Sequence, residues 1–255
     1  MNVLVSGAGS GLGYYLKKLL NADGFNRATS LKRVVTNKKY DVIIHCAANS
    51  NVGNDDLSTA KFVEDEIILT QHLLEITHGY FIFISSADVY PNKSNCSENL
   101  NINLSDLQDG YSIAKLMSES LVQASSKNIL ILRPTAMLGT SSRPNSLIKL
   151  FAEDSPQLSL SANSIFNYIL HDDVGKFIKR CIEKRIYGIF NLASLDNVSL
   201  GDIVQKYQLK NITFGEYTYK TGIINTSKVI EENPIFSKTS MQVVDYYFNY
   251  LRSSK

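Results

Sequence analysis

Four glycines fall within eight residues near the start of the chain, Ser6-Gly7-Ala8-Gly9-Ser10-Gly11-Leu12-Gly13. Glycine loses more conformational freedom on folding than any other residue, so a plain strand-to-helix turn would be weakened by so many. A turn that cradles a phosphate needs them. There the backbone must bend sharply and approach the anion, whose charge meets free N–H groups and the positive end of a helix. The context agrees: Asn2 to Ser6 reads as a buried strand and Gly13 to Leu20 as a helix.

The same alternation continues along the chain. Asp41 to His45, Tyr80 to Ser85 and Asn128 to Leu132 are short and apolar throughout, as strands buried on both faces are. Leu57 to Thr77 and Tyr111 to Ser125 read as helices between them. This order predicts an α/β fold, a Rossmann-like doubly wound parallel sheet, whose ligands bind at the carboxyl ends of the strands. After Arg133-Pro134 the pattern becomes irregular. Residues 1–135 are therefore expected to bind mainly the dinucleotide, and residues 136–255 to form a small discontinuous C-terminal substrate lobe with returning strands, all within one unit spanning 1–255.

Composition narrows the function classes. With 255 residues and 44% hydrophobic content, the chain can bury one full core. The 26 basic and 24 acidic residues nearly cancel and form no like-charge run, so neither a nucleic acid nor a membrane is expected as a partner. Cys46, Cys96 and Cys181 lack a CxxC spacing, which argues against a disulfide framework and a zinc site. His45, His72, His78 and His171 form no ligand spacing either, and no metal is expected. No export signal and no apolar stretch near the ~20 residues of a membrane span is seen, so a cytoplasmic location is expected.

Chemistry is carried by Tyr111 and Lys115, four residues apart at the start of a helix and so on one face of it. A phenol titrates near pH ~10 in water, and a neighbouring ammonium favours its charged form, which is expected to bring proton exchange closer to neutrality. Such a pair suits proton transfer at a carbonyl or alcohol. The cofactor choice depends on the end of the second strand, assigned to the region Phe25 to Ser30. Arg27 there, with Thr29, Ser30, Lys32 or Arg33, suits a 2′-phosphate, whereas Asp23 lies too early to act on a ribose hydroxyl; NADP is preferred and NAD kept.

These residues together resemble the extended short-chain dehydrogenase/reductase family, the NAD-dependent epimerase/dehydratase group that mostly modifies nucleotide-activated sugars. Besides the glycine turn, His45-Cys46-Ala47-Ala48 resembles its HxAA segment, which ends the fourth strand, and Ser85-Ser86-Ala87-Asp88-Val89-Tyr90 its SS(A)xVYG segment. Tyr111-x-x-x-Lys115 with Glu119 is similar to YxxxKxxxE, and Leu132-Arg133-Pro134 with Gly139 to LRPxxxxG. Phe166-Asn167-Tyr168-Ile169-Leu170-His171 resembles RDYIHV, and Gly188 to Ser194 the GVYNVGS strand. The resemblance implies catalysis by Tyr111 as acid/base, Lys115 on the cofactor ribose and Ser86 on the substrate oxygen. It implies cofactor contacts from Gly7, Gly9, Ser10, Gly11, Leu12, Gly13, Cys46, Ala47, Ala48, Ser85, Arg133 and Pro134. Substrate contacts are expected from Ala87, Asp88, Thr135, Arg143 and Phe166. Homodimers through the two long helices are common in the family.

Four departures bear on the substrate. Ser10 stands at the middle glycine position, Glu66 where Asn is frequent, and Pro91 where Gly is usual. Phe166 and Asn167 replace the Arg and Asp of RDYIHV, which removes a charge that commonly grips a diphosphate; Arg143 or Lys149 are the candidates to replace it. A carboxylate at Glu66 would compete for the charge of Lys115. The expected activity is hydride transfer at a carbonyl or hydroxyl carbon of a nucleotide-linked sugar, with keto-sugar reduction preferred over epimerisation. The alternatives are the same chemistry on a small carbonyl without a nucleotide, and a dinucleotide sensor without catalysis.

Overall fold

The computed structural model of the chain describes residues 1–26, 38–48, 59–125 and 128–253. Six strands form one sheet: β1 (Val3–Ser6), β2 (Asp23–Phe25), β3 (Tyr40–His45), β4 (His78–Ile84), β5 (Ile129–Pro134) and β9 (Gly188–Leu192). Their order is β2-β1-β3-β4-β5-β9 and every pairing is parallel. The chain steps from β1 outward to β2 and then back to the other side of β1 for β3, which opens a crevice at the carboxyl ends between β1 and β3. The Rossmann-like α/β architecture expected from the strand and helix alternation is the one observed.

Alternation along each strand explains why the sheet is covered on both faces. Val3 and Val5, Val42 and Ile44, and Ile82 and Ile84 belong to one core, with Leu12 and Leu16 of α1 (Gly11–Leu19). Leu4, Ile43, Phe81 and Phe83 point the other way, into a second core with Leu73 and Val122. Emptying such a position is costly: Phe81, fully buried, would lose about 3–5 kcal/mol on truncation to Ala.

The second strand is Asp23–Phe25, earlier than the segment Phe25 to Ser30 assigned to it. Asp23 is consumed at its start, accepting from Lys38 at 2.5 Å and from the Tyr40 hydroxyl at 3.1 Å. Asn26 follows the strand, and Arg27, Thr29, Ser30, Lys32 and Arg33 lie outside the described residues. The segment His45 to Ala48 ends the third described strand rather than a fourth. The helix expected over Leu57 to Thr77 is described from α2 (Thr59–Phe62) through a π-helical segment (Val63–Ile68) into α3 (Leu69–Leu74). The next, α4 (Gly110–Ser125), begins one residue before Tyr111.

Beyond β5 the chain builds short strands β6 (Ala136–Leu138), β7 (Ile165–Phe166), β8 (Tyr168–Leu170) and β10 (Val198–Ser199) in two small sheets. Leu147, Leu150, Tyr168, Ile203 and Val244 share a separate apolar cluster there. Tyr247 belongs to that cluster, so the aromatic run near the C-terminus contributes to packing. Among the described residues no helix is long and apolar enough to cross a membrane.

Candidate active site

The glycine turn has the close contacts that require glycine. Gly7 has φ +70°, and a Cβ there would lie 2.7 Å from the Ala47 backbone nitrogen; at Gly13 a Cβ would lie 2.4 Å from the Gly7 carbonyl oxygen. These two glycines let strand, turn and helix pack without a gap. Gly11 has φ +59° and open space around it, so it is needed for its conformation and leaves room above the turn. A loop from the second half of the chain lies against this turn: the Gly11 N–H donates to the Ser141 carbonyl at 2.8 Å, the Ser141 hydroxyl returns to the Gly11 carbonyl at 2.9 Å, and the Arg143 Nε donates to the Ser10 hydroxyl at 3.0 Å.

Above the turn is a cleft of about 280 Å³. Gly7, Ser10, Gly11, Leu12 and Gly13 form its floor, Cys46, Ala48 and Ser85 the strand ends beside it, and Tyr111 and Lys115 its far wall. Gly9 instead faces Asn26, and Ala47 gives its N–H to the Ser6 hydroxyl at 3.2 Å. Arg143, expected on the substrate, lies on this side with the phosphate cradle. Two further residues expected on the cofactor do not face the cleft either. Arg133 donates to Glu119 through Nε at 2.9 Å and a terminal nitrogen at 2.6 Å, and to the Tyr90 hydroxyl at 2.9 Å, so its donors are committed inside the protein. Pro134 is buried in β5 opposite Leu192. Sequence reasoning missed His171, set aside with the other histidines although its position in the resemblance to RDYIHV singled it out; it lines the cleft, and burial lowers its pKa to about 4, which keeps it neutral.

A second cavity of about 800 Å³ opens on the other side of Tyr111. Phe166 forms its wall, stacked on Tyr168 at 5.5 Å and on Tyr219 at 4.9 Å between ring centres. Asp88 lines it and accepts from the Tyr219 hydroxyl at 2.8 Å, with Lys93 3.7 Å away. Thr135 is turned inward, donating to Asn167 at 2.9 Å, and Ala87 is buried in the turn after β4, so neither meets this cavity. Lys149 does not line it either. Asn167 donates to the carbonyls of Ser194 and Asp196 and ties the turn between β7 and β8 to the loop after β9.

Tyr111 borders both spaces. Ser86 lies beside its hydroxyl and lowers its pKa, and the Ser86 Oγ caps the turn by accepting from the Asp88 N–H at 3.1 Å while donating to the Asp88 carboxylate at 3.2 Å. The predicted triad of Ser86, Tyr111 and Lys115 is therefore assembled, but its electrostatics differ from the expectation. Burial raises the Tyr111 pKa, Lys115 lowers it, and Asp88 and Glu66 raise it again, leaving the phenol above its ordinary value instead of near neutrality. Burial is the largest cause, and the partner of Lys115 adds to it. Its ammonium, 1% exposed, lies 3.0 Å from the Glu66 carboxylate, 0% exposed, and donates to the Ile84 carbonyl at 3.2 Å. Burial disfavours the charge on Lys115, but Glu66 and Tyr111 outweigh it and raise the pKa.

A chain of buried hydrogen bonds fixes Glu66 in turn. The Ser6 hydroxyl accepts from the Cys46 and Ala47 N–H groups, both at 3.2 Å, so its single proton goes to His45 Nδ1 at 2.7 Å. His45 is thereby the tautomer with Nε2–H, which faces the Thr70 hydroxyl at 3.0 Å; Thr70 donates to the Glu66 carbonyl at 2.5 Å. Burial, reinforced by Lys115, holds the His45 pKa well below the usual imidazole value, so the ring is a neutral connector. Cys46 is no nucleophile, since burial pushes its thiol up to about 12.

A parallel sheet with a glycine turn at its switch point and a Tyr-Lys-Ser cluster facing it defines a dinucleotide-dependent oxidoreductase class. The sequence profile of the NAD dependent epimerase/dehydratase family matches residues 4–193, and the chain belongs to that family. It is 26% identical over 200 residues to dTDP-D-glucose 4,6-dehydratase of Dictyostelium discoideum, covering 69% of this chain and 46% of that protein, so it spans about half the relative's length. Among solved structures it is similar to UDP-glucuronic acid 4-epimerase from Bacillus cereus in complex with NAD, at TM-score 0.77 and 23% identity, covering 99% of each chain. It also resembles dTDP-4-dehydrorhamnose reductase from Bacillus anthracis in complex with NADP, at TM-score 0.80 and 17% identity, covering 98% of this chain and 99% of that one. A nicotinamide dinucleotide is the cofactor of this family, as the glycine turn implies.

Proposed function

We propose that this protein reduces a keto carbon of a nucleotide-activated sugar, with Tyr111 as the proton donor. The observation that carries the reading is the position of one phenol at the junction of two spaces, a cleft over the glycine turn and a larger cavity walled by Phe166 and Asp88. The turn suits the pyrophosphate of a dinucleotide, because the cradle at Gly7 and Gly13 has no room for a Cβ and Gly11, Leu12 and Gly13 line the cleft at the helix N-terminus, with the Gly11 N–H taken by the Ser141 carbonyl. When bound, the nicotinamide supplies or accepts a hydride. Leu12 and Gly13 would offer backbone N–H groups to the phosphates, Arg143 a charge beside Ser10, and Lys115 an ammonium toward ribose hydroxyls. Asn26, at the end of β2, brings no carboxylate against a 2′-phosphate, which supports NADP.

Within the protein the proton path is short. Tyr111 gives its phenolic proton to the oxygen that becomes the alcohol, and Ser86, whose hydroxyl donates to Asp88 at 3.2 Å, would turn that donor to the same oxygen once substrate is bound. A phenol kept above its ordinary pKa carries its proton at neutral pH, as the donor in a reduction must. Turnover of NADPH with a panel of nucleotide-linked 4-keto sugars tests the reading, and Tyr111→Phe should abolish it.

Phe166 supports a second reading, in which the substrate is a small carbonyl compound without a nucleotide. The ring fills the cavity wall where a cation would grip a diphosphate. Protection of the folded state by nucleoside diphosphates separates the two, since only a nucleotide site is stabilised by them.

A further inference from the structure

We propose that Glu66 is a positioning residue that holds Lys115 and thereby sets the direction of proton transfer at Tyr111, keeping the phenol a donor. This rests on the catalytic reading of Tyr111 but concerns a residue that touches neither substrate cavity wall nor cofactor cradle. The geometry is specific. Glu66 sits in the π-helical segment Val63–Ile68, whose wider turn packs against α4, and its carboxylate meets the Lys115 ammonium at 3.0 Å with both groups withdrawn from solvent. Its backbone is anchored through Thr70, His45 and Ser6 to the strand that leads into the glycine turn. The segment that carries the carboxylate is thereby tied to the strand end beside the lysine.

The consequence is electrostatic. An ammonium left alone beside Tyr111 would stabilise the phenolate; one already neutralised by a buried carboxylate does so much less. Among the described residues, these charged and titratable groups act on the pair. Lys115 comes from the same helix, Asp88 from the turn after β4, Glu66 from the π-helical segment, Cys46 and His45 from the end of β3, and Tyr219 from the C-terminal half. Of the two carboxylates that act on Tyr111, only Glu66 is paired with Lys115; Asp88 is engaged by Tyr219 and Ser86. Removing the Glu66 charge should release the pull of Lys115 on the phenol.

The test reads tyrosinate absorbance against pH, taking the difference between each protein and its Tyr111→Phe counterpart. In the wild-type protein Tyr111 should ionise above pH ~10, the ordinary phenol value. In Glu66→Gln the transition should fall by about one unit or more, a tenfold gain in phenolate at a given pH. Adding Lys115→Met to Glu66→Gln should erase most of that fall. A wild-type transition below the ordinary phenol value, or an unmoved transition in Glu66→Gln, would overturn the proposal. Should Glu66→Gln melt too early to titrate, Glu66→Asn is read with the same expected sign. No turnover is needed, so failure here is distinct from failure of the proposed reaction.

Discussion

Glu119 clasps Arg133 through two parallel hydrogen bonds, 2.9 and 2.6 Å, with both side chains buried. This pair ties α4, which carries Tyr111 and Lys115, to β5 between β4 and β9 in the sheet, and Tyr90 and Asn191 extend it. Removing one partner strands a buried charge, so Glu119→Gln should lower stability by about 3–5 kcal/mol. Urea unfolding with an unchanged slope would measure it, and an unaltered midpoint would contradict the structural role.

Gly13→Ala places a methyl group 2.4 Å from the Gly7 carbonyl. The helix must then shift away from the strand, and the phosphate cradle with it. We expect dinucleotide binding to be lost. Saturating NADPH, which at a hundred times its Kd stabilises a folded protein by about 2.7 kcal/mol, should leave the melting of this variant unmoved.

Arg143 reaches Ser10 from 133 residues away and stands over the cradle, not in the substrate cavity. Truncation to Ala should weaken NADPH binding roughly tenfold, about 1.4 kcal/mol, with a smaller effect at high salt. The KM for substrate at saturating cofactor should be unchanged; a selective rise in that KM would instead move Arg143 to the substrate.

Two buried neutral imidazoles make stability fall as acid is added. Burial holds His45 well below its ordinary pKa and His171 at about 4, whereas in the unfolded chain both titrate near pH ~6.5. The unfolded state therefore binds more protons below that pH, and stability present above it is lost on going down. Between pH ~6.5 and ~5 the loss should approach about 1.4 kcal/mol per unit for each histidine. Urea midpoints across this window check it, and a flat profile would show that the rings accept protons in place.

What is legible in the sequence follows from how local the constraint is. A backbone that must bend and touch another backbone demands glycine, so Gly7 and Gly13 mark the cradle by residue type alone, and one helical turn of spacing marks Tyr111 and Lys115. The strand parity that splits Leu4 from Val3 and Val5 is equally readable. Long-range partnership is not. The resemblance puts Arg133 on the cofactor, and nothing near it in the chain shows that Glu119 waits on the preceding helix; Arg143, expected to replace the charge lost at Phe166, is held instead by Ser10, 133 residues away. Glu66 is visible as a rival for Lys115, but its hold on that lysine depends on a π-helical turn that residue spacing does not reveal. Asp23–Phe25 is too short to announce a strand.

The central claim is that Tyr111 delivers a proton between the two cavities. NADPH oxidation with a nucleotide-linked 4-keto sugar, compared between the wild-type protein and Tyr111→Phe at matched cofactor occupancy, tests it most directly. A loss of at least about a hundredfold in kcat, with the NADPH Kd unchanged, is the predicted result. Turnover by Tyr111→Phe at the wild-type rate would contradict it.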